Sequence, residues 1–111
     1  AMLIRVDTNK ITKNLDMYYR DLGFIYYDMY VHSLDKKYLD TANTIFKKAL
    51  RINPNNTDAL WDGAIALVFS NHCDEGLKYL DSYLKLVPTT EVDTEAINGM
   101  RNICNERAKP R

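Results

Sequence analysis

Asn53-Pro54-Asn55-Asn56-Thr57-Asp58 is a stop followed by a start. Proline lacks the amide that would continue a helix, and Asn56 or Thr57 can cap the next one with a side-chain oxygen. The arrangement returns at Val87-Pro88-Thr89-Thr90-Glu91-Val92-Asp93, where Thr90 and Asp93 have the spacing of a capping box, with Asp as the weaker partner. Pro54 and Pro88 stand 34 residues apart. Between these signals apolar residues recur every three or four positions and do not alternate, and four glycines with three prolines are too few for a turn-rich β protein. The spacing predicts five helices, over 15–31, 36–52, 57–70, 74–87 and 91–107.

Ahead of Pro54, small and large residues fall at specific positions: Tyr19, Leu22-Gly23 and Tyr26, then Ala42, Phe46 and Ala49. Glycine and alanine let two helices approach closely, and the large side chains fill the space beside them. Ahead of Pro88 the same places hold Leu60-Trp61, Gly63-Ala64, Leu67, Gly76 and Leu80. Tyr83 stands where a small residue is expected, which implies a locally wider crossing. Pattern and 34-residue period together resemble the tetratricopeptide repeat family over residues 15–108. The resemblance implies an all-α protein, a right-handed α-α superhelix of two helix-turn-helix repeats. Repeat one covers about 15–54, repeat two about 55–88, and a capping helix about 91–108, after an N-terminal segment 1–14.

Repeat one is longer. Gly23 to Ala42 spans 19 positions, where Ala64 to Gly76 spans 12. Seven extra residues are two helical turns, one for each partner, with the bend near 32–35 and Tyr30, Val31, Leu34 and Tyr38 as its small apolar core. The last helix is one-sided, with Ile97, Met100 and Cys104 in a stripe, as the end of a stack of repeats requires. Leu3, Ile4, Val6 and Ile11 are expected to add to the core.

Composition narrows the function. The 111 residues suit one domain, and 46% hydrophobic with 27% charged residues is too apolar for disorder. Fifteen basic and fifteen acidic residues cancel, so the basic excess of a nucleic-acid binder is missing. The longest apolar run, Gly63 to Phe69, is too short to span a membrane. Met2-Leu3-Ile4-Arg5 lacks the apolar core of a secretory signal, which favours the cytoplasm. Met2, behind Ala1, reads as a native start or as the first residue of an excised fragment.

No catalytic constellation is visible, no cofactor is expected, and His32 and His72 read as surface residues at separate bends. His72-Cys73 with Cys104 lacks the close ligand pairing of a zinc site. Mirroring Cys73 through the bend near Thr89 brings it close to Cys104. A disulfide and two unrelated thiols both stay open, because a bridge needs side chains facing across the closest approach.

The resemblance implies a protein or peptide partner in a concave groove lined by the first helix of each repeat. Projected on this chain, groove positions include Met17, Arg20, Phe24, Tyr27 and Asp28 in repeat one. Asp58, Trp61, Asp62, Ile65, Val68 and Phe69 follow in repeat two. Arg20 alone suits a carboxylate, so a clamp for a C-terminal carboxylate is not expected. The candidate binding residues are Arg20, Phe24, Tyr27, Trp61, Ile65, Val68 and Phe69, with Trp61 and Phe69 as anchors. The alternative is a structural or self-associating segment, a homo-oligomer through the same groove. From Ala59 to Phe69 every residue but Asp62 is apolar or glycine, so something is expected to cover its second stripe.

Overall fold

A computed structural model describes residues 14–108. These residues form five α-helices and no strand: α1 (Leu15–Ser33), α2 (Lys36–Ile52), α3 (Thr57–Phe69), α4 (Cys73–Leu86) and α5 (Thr94–Ala108). The contribution expected from Leu3, Ile4, Val6 and Ile11 lies outside the described residues.

The local signals act where they stand. Asp35 accepts a hydrogen bond from the Lys37 amide at the start of α2, and Asn56 accepts one from the Ala59 amide at the start of α3. α1 ends at Leu34, whose φ of 58° closes the turn through its amide to the Tyr30 carbonyl at 2.7 Å. Asn71 takes the same left-handed conformation between α3 and α4. Between α4 and α5 the structure differs from the expectation. Thr90 belongs to a short 3-10 turn, Thr89–Glu91, and Asp93 caps α5 by accepting from the Ala96 amide at 3.0 Å. Val92 is extended, so the chain reaches helical geometry only after Asp93.

Contacts between side chains fix the directions of the helices. Along α1 and α2, Asp16 meets Asn53, Gly23 meets Phe46, and the Tyr26 ring lies 6.5 Å from that of Tyr38. That order is antiparallel. α2 and α3 are also antiparallel, with Asn43 bonded to Ser70 and Phe46 beside Gly63. In the next hairpin Trp61 meets Tyr83, and Gly76 lies against Ala64 and Val68.

α3 is the centre of the molecule. On one side its Ala66 joins Leu39, Ala42 and Phe46 in a cluster packed by Tyr26, Tyr27 and Tyr30. On the other, Ala64 and Val68 join Leu80 of α4 and Ile97, Met100 and Cys104 of α5. The predicted stripe of α5 is therefore its buried face. With α4 it covers most of the second stripe of α3, burying Val68 and packing Trp61 and Ile65, and leaves Phe69 exposed. Half of the apolar core expected at the first bend forms: Tyr30 packs against the α2 cluster and the Tyr38 ring lies beside that of Tyr26, but Val31 is exposed and Leu34 is 74% exposed. A two-residue connection leaves no neighbour beyond the bend to receive them.

Candidate partner-binding surface

α1 and α3 lie side by side and run in the same direction, because Asp16 meets Asn56 and Arg20 meets Asp62 further along both helices. The Asp16 carboxylate Oδ2 accepts from Asn53 Nδ2 at 3.1 Å and from Asn56 Nδ2 at 3.0 Å. It thereby ties the start of α1 to the turn between α2 and α3. Burial alone would raise its pKa. The two asparagine amides and the backbone amides of Asp16 and Met17 outweigh burial and hold it below the ordinary 3.8. A carboxyl depressed in the folded state adds stability above its unfolded pKa, and that stability is lost as pH falls through the folded value. Asp16→Asn is expected to be less stable than wild type by about 1–2 kcal/mol at pH 7. The gap should close well below pH 3.8, so denaturant midpoints at pH 7 and at strongly acidic pH check it. A gap that does not narrow on acidification would assign the loss to packing instead of charge.

Arg20 is the hub of the seam between α1 and α3. Its Nε and Nη2 both lie 3.1 Å from Asp62 Oδ2, and Nη1 is 3.1 Å from Asp21 Oδ1. Burial works against the Arg20 charge, but three carboxylates, those of Asp21, Asp62 and Asp58, raise its pKa on balance. For Asp62, burial is the largest effect and Asp58 adds to it, so its carboxyl rises although Arg20 opposes the shift. Arg20 is thus already engaged by Asp62 and Asp21. Its guanidinium also lies 5.6 Å from the centre of the Phe24 ring.

The remaining candidates separate by burial. Phe24 and Phe69 are each 45% exposed. Tyr27 is half-buried against the cluster of Leu39, Ala42, Phe46 and Ala66, and burial, with Tyr30 and Asp62 nearby, pushes its hydroxyl up. Val68 is no groove residue: it is 1% exposed and belongs to the core. Ile65 and Trp61 pack against the same core, and the Trp61 ring lies 4.9 Å from that of Tyr83. Tyr83 thus stacks on Trp61 from the place where a small residue was expected. The reason is the position of α5, which lies on the stripe of α3 that would otherwise face a groove.

Exposed apolar side chains concentrate on α1 instead. Met17, Phe24 and Val31 recur at seven-residue spacing, and Tyr18, Ile25 and Met29 form a second stripe. Helical geometry places Asp21 and Asp28 between the two stripes. Sequence reasoning missed Ile25, Met29 and Val31. The signal was present, since α1 is apolar nearly all round, as α3 is.

Cys73 and Cys104 are joined in a disulfide with Cα atoms 5.7 Å apart, which decides the pairing left open above. Both sulfurs that a zinc site would need are therefore engaged with each other. Among the described residues no helix is long and apolar enough to cross a membrane. Compared with known proteins, the chain matches no family model, no curated protein and no solved structure.

Proposed function

We propose that this chain is a tetratricopeptide-like module that holds a partner peptide or helix and is not an enzyme. Support for the repeat assignment comes from the 34-residue spacing, the two antiparallel hairpins and the parallel run of α1 beside α3. The observation that carries the binding role is the outer face of α1, where six large apolar side chains are exposed in register. Phe69, at the end of α3, adds a seventh exposed apolar group. Apolar stripes of this kind on a folded chain mark interaction sites. Asp21 and Asp28 between them suit a partner that brings apolar anchors with basic neighbours.

The runner-up, self-association through the same face, rests on the same exposed stripes. Solution mass separates the two, because a monomer leaves the face free for a foreign partner. The double substitution Phe24→Ser with Phe69→Ser is expected to weaken capture of the native partner at least tenfold, as for the loss of two aromatic contacts. Its melting temperature should stay within a few degrees of wild type, because both rings are half in solvent. Undiminished capture by the folded double variant would remove this face from the binding surface.

A further inference from the structure

An open cavity of about 810 Å3 lies against the Cys73–Cys104 disulfide. Cys73 is the first residue of α4 and is half-buried, whereas Cys104 is buried against the core. Arg107, in the turn after Cys104, donates to the Val68 carbonyl and places Nη1 3.8 Å from Cys73 Sγ. The α4 N-terminus carries no side-chain cap, so its amides add positive potential at the same sulfur. Asp74, Glu75 and Glu106 line the cavity too, but Glu75 is held by Lys47 at 3.1 Å, and the Arg107 guanidinium is the charged group in direct contact with the sulfur. A disulfide that serves as a staple alone needs neither an opening onto solvent nor a cation beside one sulfur.

We propose that Cys73–Cys104 is a thiol–disulfide exchange site whose reactant is a dithiol, with Arg107 as the positioning residue. A thiolate of the dithiol enters the cavity and attacks Cys73 Sγ, the more accessible sulfur. The S–S bond breaks, its electron pair passes to Cys104 Sγ, and that sulfur takes a proton from solvent. The second thiol of the reductant, on losing its proton, attacks its own sulfur in the mixed disulfide and expels Cys73 as a thiolate beside Arg107. The protein gains two electrons, and the reductant leaves as a disulfide. Release of the link loosens the last turn of α5, which the disulfide and the Arg107–Val68 hydrogen bond hold against α3 and α4. This goes beyond the proposed binding face, which is formed by α1 and Phe69, and does not depend on it.

Dithiothreitol on the native protein at neutral pH tests the proposal. Samples are quenched with N-ethylmaleimide and followed by intact mass, with circular dichroism and amide exchange in parallel. Reduction is expected within minutes with helicity retained, and with faster exchange over 94–108 but not over α1 and α2. Arg107→Gln should slow reduction on the order of five- to tenfold, because the incoming thiolate loses the cation that draws it to Cys73 Sγ, and Arg107→Lys should restore most of the rate. A disulfide that yields only in denaturant, or an Arg107→Gln variant reduced as fast as wild type or faster, overturns the assignment and leaves a structural staple.

Discussion

Gly23→Leu is expected to lower the unfolding free energy by about 3 kcal/mol, the upper end of the usual range for overpacking a core. A Cβ at Gly23 would lie 2.7 Å from Cε1 and 2.8 Å from Cδ1 of Phe46. Phe46 has no exposed surface, so its ring has no free space to turn into. Gly23→Ala makes the same first clash but gains helix propensity, up to about 1 kcal/mol, and should lose less. For a chain of this length the Leu variant should melt roughly 12 °C lower, at about 4 °C per kcal/mol. Thermal unfolding followed by circular dichroism decides it. Adding Phe46→Leu to Gly23→Ala should recover part of the loss, since the two sites share one contact. An unchanged melting point for Gly23→Leu would mean that α1 and α2 do not cross at this glycine.

Trp61→Ala carries the second large effect, and its direction differs from what the sequence had suggested. Read as a groove anchor, Trp61 should be removable with the fold intact. In the structure its ring stacks on Tyr83 at 4.9 Å and packs against the cluster that α3, α4 and α5 share. Truncation leaves a cavity beside Tyr83 at the edge of that cluster, and partial burial makes the cost about 2–4 kcal/mol. Urea midpoints of wild type, Trp61→Ala and the Phe24→Ser/Phe69→Ser variant give a direct comparison. Trp61→Ala should unfold at the lowest denaturant of the three. If it unfolds together with wild type, α5 is not seated on α3 and the Trp61 face is free after all.

The two variants differ because two helices with the same sequence character have different neighbours. α1 and α3 are both apolar nearly all round, and sequence reasoning treated only α3 as carrying a stripe in need of cover. α3 lies between α2 on one side and α4 with α5 on the other, so Val68 is core and Trp61 and Ile65 are packed. α1 is packed by α2 and α3 among the described residues, and its outer stripes, Met17, Phe24 and Val31 with Tyr18, Ile25 and Met29, meet solvent. The candidate site was thus legible in kind, an apolar and aromatic face, and in part by residue: Phe24 and Phe69 are exposed, whereas Val68 is core and Trp61 and Ile65 pack against it. The Asp16–Asn53–Asn56 network was not legible at all. It joins positions 37 and 40 residues apart, and nothing in the spacing of an Asp from two Asn residues announces it.

The sequence by itself determined what acts over a few residues. Pro54 and Pro88 ended helices, Asn56 began one, the three-to-four-residue period made every element helical, and the small side at Gly23 left α1 open to a close crossing. These signals work through a proline ring, a cap or a missing side chain, and they need only local backbone to operate. Tertiary structure alone decided which apolar stripe meets water and which meets another helix, and whether Cys73 and Cys104 face each other. Burial and pairing depend on groups brought from 30 or more residues away, and their positions exist only once the helices have packed.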